Sequence, residues 1–299
     1  MSTGKWTAED APSQKGRVAL VTGATSGLGK MAATQLAQAG ATVILAARNR
    51  PKTELVAAEM RQSIADADIH IEQLDLSDLD SVRDLAERLK ASWPKLDLLI
   101  NNAGVMLTPY SPTEEKFEPQ MGTNHLGHFA LSLQLLPLLR NVIGSRIVVV
   151  GSLAHRNGKI DLDDLNWKSR KYSSGQAYCD SKLANLLFVH EMNRRLRGRN
   201  ADPIAVAAHP GWSSTDLQRN SMLMRVGNVL LGQKAYDGAL ATFRAATDPS
   251  ANAGDYFGPG GLFEMRGPPV KVEIDARGRD DAMATALWEK SEELTGVSF

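Results

Sequence analysis

The chain has one cysteine among 299 residues, no excess of either charge and no long unbroken apolar run. Each shortage excludes something. A lone Cys179 rules out an internal disulfide, a cysteine-rich zinc site and an iron–sulfur cluster, and it fits a reducing compartment. Lys and Arg total 34 against 34 Asp and Glu, so nothing global recommends nucleic acid or an anionic membrane as partner. The most apolar segment, "HFALSLQLLPLLRNVIG", is interrupted by Ser132, Gln134, Pro137 and Arg140. No stretch reaches the roughly 20 apolar residues that span a bilayer. The opening "MSTGKWTAEDAPSQKG" lacks an apolar core of signal-peptide type. The expectation is a cytoplasmic protein without an integral membrane segment. A composition 43% hydrophobic and 23% charged suits a folded globular chain.

Short Val/Ile/Leu runs alternate with helical patterns along the chain. "RVALVTGATSGLGKMAATQLAQAGATVILAAR" passes from an apolar run through a Gly-rich turn and a helix into a second apolar run, which is a βαβ unit. Further strands are read at "IHIEQLDLSD", "LDLLINNAG", "SRIVVVGSLA" and "PIAVAAHPGW", with helices between them. This alternation predicts a single doubly wound α/β domain of Rossmann type over residues 17–299. Its sheet is mostly or fully parallel with helices on both faces, and a polar arm of residues 1–16 precedes it. Two stretches break the rhythm, a Met/Leu-containing segment around 213–236 and the Gly/Pro-dense 256–270. They are read as a substrate lid and a pocket rim, since insertions at strand carboxyl ends are where ligands bind in such sheets.

"TGATSGLGK" lies between the first strand and the first helix. Gly23 permits the tight turn, while Gly27 and Gly29 let backbone amides approach a pyrophosphate at a helix N-terminus. A triphosphate loop is the nearest rival, but Ala24 stands where its opening glycine belongs and Met31 where its magnesium-binding hydroxyl belongs. An NAD site offers an acid at the end of the second strand; here the chain reads Ala47, Arg48, Asn49. A guanidinium there pairs a 2′-phosphate, which favours NADP over NAD.

In "GQAYCDSKLANLLF", Tyr178 and Lys182 stand at i and i+4 and share one face of a helix. An ammonium about 4 Å from a phenolate stabilises it by about 4 kcal/mol at an effective dielectric of about 20. Cys179, Asp180 and Ser181 point elsewhere. The ordered set "TGATSGLG", Asp75 of "LDLSD", "NNAG", "NHLGHF", "VVVGSLA", "YCDSK" and "HPGW" resembles the short-chain dehydrogenase/reductase family over nearly the whole chain. "AARN", "GSLAH" and "HPGW" are further similar to its retinol-dehydrogenase-like and WW-domain-oxidoreductase-like branch, without a WW module. Most of that branch prefers NADP(H), and many members carry a hydrophobic N-terminal anchor from which the polar arm departs.

The resemblance implies catalytic roles for Asn124, Ser152, Tyr178 and Lys182. Tyr178 would be the general acid/base, Lys182 would lower its pKa and bind the nicotinamide ribose, and Ser152 would hold the substrate oxygen. Asn124 would hold a relay water. It implies cofactor contacts from Gly23, Thr25, Ser26, Gly27, Leu28, Gly29, Arg48, Asn49, Asp75, Leu76, Asn102, Ala103, Gly104, Pro210, Gly211, Trp212 and Thr215. Leu153, His155, Tyr172 and Trp212, with the Met222 to Met224 region, are candidate pocket residues for a hydrophobic alcohol or carbonyl. Many family members form a homodimer through the helix after Asn124 and the Tyr178 helix. His125 and His128 are spaced like metal ligands, yet no acid completes a set. His209 is read as fixing a strand end. The alternative reading is a catalytically silent dinucleotide-binding sensor or scaffold; a related NADP enzyme reducing a C=C bond is a third.

Overall fold

A computed structural model describes residues 5–197, 203–211 and 234–299. Its strands are β1 (Val18–Thr22), β2 (Thr42–Ala47), β3 (Ile69–Gln73), β4 (Leu98–Asn101), β5 (Arg146–Val150), β6 (Ile204–Ala208), β7 (Tyr256–Pro259) and β8 (Pro269–Val272). Among the helices are α1 (Gly27–Gln38), α2 (Arg50–Ser63), α3 (Leu79–Ser92), α4 (Gly127–Leu139), α5 (Ser174–Leu196), α6 (Ala235–Thr247) and α7 (Asp281–Thr295). The strands form one sheet in the order β3-β2-β1-β4-β5-β6-β7-β8, parallel except for the antiparallel β7–β8 pair.

Strand periodicity of two sorts the apolar residues onto two faces. Leu20, Ile44, Leu99, Ile147 and Ala205 pack with Leu85 of α3, Phe129 of α4, Val189 of α5 and Trp288 of α7. Val21, Leu45, Ile100, Val148 and Val206 pack with Leu36 of α1, Met60 of α2 and Phe243 of α6. Both faces are covered, which is why every residue of β1 and β5 is buried and their apolar runs do not alternate. Strand order reverses between β1 and β4, so their carboxyl ends flank a crevice where such folds bind ligands. No helix among the described residues is long and apolar enough to cross a membrane.

The sequence did not announce β7 and β8. Tyr256 and Phe257 extend the sheet beside Ala207 and Ala208, and the hairpin runs out to the pair Pro259 and Pro269. A proline lacks the donor that an inner strand needs, so these residues fit only an outer hairpin. Residues 5–16 lie against α6, with Trp6 edge-on to Phe243 at 6.0 Å between centroids. Of the segment read as a lid, 213–233 lies outside the described residues and 235–236 opens α6.

Gly127, at the start of α4, faces the turn that carries Asp75 and Leu76. A Cβ there would collide with the Leu76 carbonyl and come within 3.0 Å of the Leu76 Cβ. Gly127→Ala should therefore cost about 1–3 kcal/mol, as overpacking does. Urea denaturation checks this, and a loss below about 0.5 kcal/mol, the scale of a surface substitution, would contradict the packing described.

Candidate active site

The phosphate loop is built by close approach. Gly23 has φ +67, and a Cβ on it would sit 2.9 Å from the Ala103 Cα. A Cβ on Gly29 would strike the Gly23 carbonyl and the Asn102 side chain. Gly27 (φ +52) opens α1, and the N-cap Ser26 makes no side-chain capping bond, so the first amides of the helix have no partner from it. Thr25, Ser26 and Leu28 are half-buried beside them. A cradle of this shape, too tight for side chains and rich in amides, fits a dinucleotide pyrophosphate.

Thr22, at the end of β1, knots three motifs together. Its hydroxyl accepts the amides of Asn102 and Ala103, each at 3.0 Å, and lies 2.9 Å from His128 Nε2. His128 Nδ1 lies 3.1 Å from the Asn124 carbonyl, which can only accept. The ring therefore carries its proton on Nδ1, and Thr22 donates to Nε2. Burial pushes His128 down to about 4, so it is neutral at ordinary pH. Asn124 itself is fixed at both ends of its amide. Its Oδ1 accepts Val105 N at 2.8 Å, and Nδ2 donates to the Val105 carbonyl and Ser181 Oγ, each at 3.0 Å. A π-helical run, Gly122–Leu126, carries it.

Ser152 follows β5, and its Oγ accepts the Ala154 amide at 3.2 Å. α5 presents Tyr178 and, one turn on, Lys182. The ammonium is 5% exposed and donates to the Val150 carbonyl at 2.9 Å, with Nζ 5.8 Å from the Tyr178 ring centroid. Burial alone lowers Lys182 to about 8. Tyr178 is pushed up to about 12, chiefly by burial, while its hydrogen bond with Ser152 opposes. Here the phenol is governed by burial, the Ser152 bond and Cys179. The ammonium is turned to a carbonyl, and desolvation dominates. Gly104 closes the group, since a Cβ there would be 3.0 Å from Asn124 Oδ1 and 3.8 Å from Lys182 Nζ.

At the adenosine end, Arg48 is 77% exposed and lies 3.6 Å from Asp75. Asp75 Oδ1 also accepts the hydroxyl and amide of Ser77. Asn49 Oδ1 caps α2 by accepting the Lys52 amide at 2.9 Å, so its side chain is already employed. Leu76 is buried against Gly127. Pro210 and Gly211 follow β6, Gly211 at φ +64. Trp212, Thr215 and the Met222 to Met224 region lie outside the described residues.

Two pocket expectations take a different form. His155 is fully buried, with Nδ1 donating to the Ser152 carbonyl at 2.6 Å, so it braces the serine from behind instead of lining a surface. The Tyr172 hydroxyl is tied to Glu118 at 2.8 Å and to Gln120 and the Thr108 carbonyl at 3.1 Å, leaving its ring edge against Tyr110 and Trp167. Leu153 is half-buried in the turn after Ser152. Asp180 and Ser181 are buried; Asp180 accepts the Lys159 amide at 2.7 Å. Sequence reading missed Thr22 and the Glu264–His209 pair at 3.0 Å. Only the position of Thr22 directly before Gly23 could have marked it.

A family model described as short chain dehydrogenase matches residues 17–225. Human retinol dehydrogenase 13 is 38% identical over 293 residues, covering 94% of this chain and 85% of that protein. Human retinol dehydrogenase 12 is 39% identical over 289 residues, covering 95% and 88%. A crystal structure of an uncharacterized protein from Mycobacterium Paratuberculosis is 43% identical, covers 99% of each chain and superposes with a TM-score of 0.84. The Pseudomonas aeruginosa RhlG/NADP active-site complex is 26% identical, covers 82% of this chain and 94% of that one, and has a TM-score of 0.65.

The buried ammonium sets a pH dependence. Between about 8, the folded value of Lys182, and its ordinary 10.5, the unfolded chain holds more protons than the folded one. Raising pH through that window should stabilise the cofactor-free protein, by an amount on the order of 3 kcal/mol. Lys182→Met should lack that rise, and the raised Tyr178 acts on both proteins alike. Denaturation curves at pH 8 and 10 make the comparison; parallel behaviour of the two proteins would contradict the burial argument.

Proposed function

The chain belongs to the short-chain dehydrogenases, with retinol dehydrogenases among its relatives, and from that premise we propose that it is an NADP(H)-dependent oxidoreductase. It moves a hydride between the nicotinamide and an alcohol or carbonyl group of a hydrophobic small molecule. The observation that carries this reading is the meeting of the Tyr178 phenol with Ser152, with the buried Lys182 ammonium one helical turn away, beside the β1/β4 crevice. A bound nicotinamide supplies or accepts the hydride.

The residues of the chain do the rest. Reduction of a carbonyl develops negative charge on the substrate oxygen, which needs oriented donors and then a proton. Ser152, pinned by the Ala154 amide and by His155 behind it, orients that oxygen. Tyr178 is protonated throughout the neutral range, because burial holds it near 12, so it enters the reduction carrying the proton it delivers. Lys182 keeps positive charge next to the phenol as that proton leaves. Asn124, with both ends of its amide occupied, holds the neighbouring carbonyl still. Gly23, Gly27 and Gly29 hold the pyrophosphate. Arg48, 77% exposed at the end of β2 and 3.6 Å from Asp75, meets the 2′-phosphate; the RhlG/NADP complex supports the same choice of cofactor.

The names of the human relatives make all-trans-retinal a reasonable first carbonyl to try with NADPH. Tyr178→Phe should lower kcat on the order of 10²- to 10⁴-fold, as loss of a general acid does, with NADPH affinity retained. A Tyr178→Phe protein that turns over near the wild-type rate would sink the assignment. Wild type that binds NADPH yet reduces no member of a carbonyl panel would favour the sensor reading.

A further inference from the structure

One carboxylate ties the loop between β7 and β8 to two other turns. Between β7 and β8 the chain turns through residues 260–268, where Phe263 and Glu264 both take left-handed backbone, at φ 52 and 57. Each such residue costs on the order of 1–2 kcal/mol, so other contacts must over-determine the loop. Glu264 supplies them. Its Oε1 accepts Arg156 Nη2 at 2.6 Å, and its Oε2 accepts His209 Nε2 at 3.0 Å. Arg156 sits in the turn just after Ser152, and His209 ends β6 fully buried. The bonds from His209 and Arg156 hold the Glu264 carboxyl down to about 2, against some desolvation, so it is ionised across the working range.

The tautomer of His209 follows from its partners. A carboxylate only accepts, so Nε2 carries the hydrogen. Nδ1 then offers a lone pair, and the Gly211 amide donates to it at 3.2 Å. Gly211 has no freedom to move away. A Cβ on it would strike the Met265 carbonyl and stand 2.7 Å from Pro259 Cγ. One line of hydrogen bonds therefore runs from the rim loop through a buried imidazole to the backbone that leaves β6. The same carboxylate reaches, through Arg156, the turn that carries Ser152.

We propose that Glu264 is a positioning residue of the hydride-transfer site, locking the rim loop, the Ser152 turn and the Pro210–Gly211 turn into one rigid unit. The proposal rests on the oxidoreductase reading for its kinetic consequence, but its structural consequence stands alone. Glu264 touches no reacting atom; it acts through His209 and Arg156. Removing it lets the strained loop relax and frees the Gly211 amide, while leaving the glycine loop and Arg48 untouched.

The test compares wild type, Glu264→Ala and Glu264→Gln. Hydrogen exchange at the Gly211 amide, measured without any ligand, should quicken by about tenfold or more in Glu264→Ala as the local bond opens. It should return toward wild type in Glu264→Gln, whose side-chain carbonyl still accepts from His209. With NADPH and all-trans-retinal, Glu264→Ala should lose about 10- to 100-fold in kcat through misplacement, with a smaller change in KM and less than about threefold change in NADPH affinity. Glu264→Gln should recover most of the kcat. Unchanged Gly211 exchange and unchanged kcat in Glu264→Ala would overturn the proposal, as would an equal loss in both variants. Wild type that binds no NADPH would overturn the oxidoreductase reading, whereas the exchange result judges the clamp by itself.

Discussion

A buried ammonium is the constraint around which the site is arranged. Removing a lysine from water costs several kcal/mol unless its protons find oxygen, and Lys182 is 5% exposed. The chain meets that cost with the Val150 carbonyl, the last peptide of β5, at 2.9 Å. That bond, joined on the same carbonyl by the Asn185 side-chain amide at 3.4 Å, ties α5 to the carboxyl end of the sheet, and with it Tyr178 one turn earlier. It also fixes what can stand nearby. Gly104 is bare on the side facing Nζ, and Asn124 has its amide filled by Val105 and Ser181. Burial lowers the amine and raises the phenol of the half-buried Tyr178.

Around this charge the fold supplies rigid strand ends joined by short hydrogen-bond lines. Thr22 gathers two amides of the turn after β4 and an imidazole from α4 onto one hydroxyl. His155 holds the Ser152 carbonyl from the far side. Glu264 links the turns after β5 and β6 to the loop between β7 and β8. In each case the tautomer or donor direction is dictated by a partner that can only accept. Such lines place functional groups more tightly than packing alone, because one misdirected proton leaves a buried group unpaired.

Much of this was legible in the sequence. The apolar runs that became β1, β2, β4, β5 and β6 were plain because an inner parallel strand, covered on both faces, cannot alternate, whereas β3 at the sheet edge reads IHIEQ. The i, i+4 spacing of Tyr178 and Lys182 placed them on one face, and the glycine spacing marked a tight phosphate turn. β7 and β8 stayed hidden because Pro259, Gly260, Gly261 and Pro269 read as breakers, while their pairing depends on a sheet edge that only the fold supplies. Glu264 was invisible for a different reason. Its partners lie 108 and 55 residues away, and an isolated acid carries no periodic signal. Sequence spacing fixes the face that Tyr178 and Lys182 share but not the rotamer, and Lys182 turns to Val150. Asp180 and Ser181, read as pointing away from the Tyr178–Lys182 face, are buried braces of a neighbouring loop and of Asn124.

On the proposed function, the β1/β4 crevice holds a 2′-phosphorylated dinucleotide against the Tyr178–Lys182 pair. Parallel fluorescence titration of NADPH and NADH, on wild type and on Arg48→Ala, tests it most directly. Wild type should prefer NADPH by about tenfold or more, the worth of a charge-assisted pair, and Arg48→Ala should lose the preference while still binding both. Equal affinity for NADH in wild type would contradict the role of Arg48. Binding of neither would rule out a dinucleotide site in the crevice.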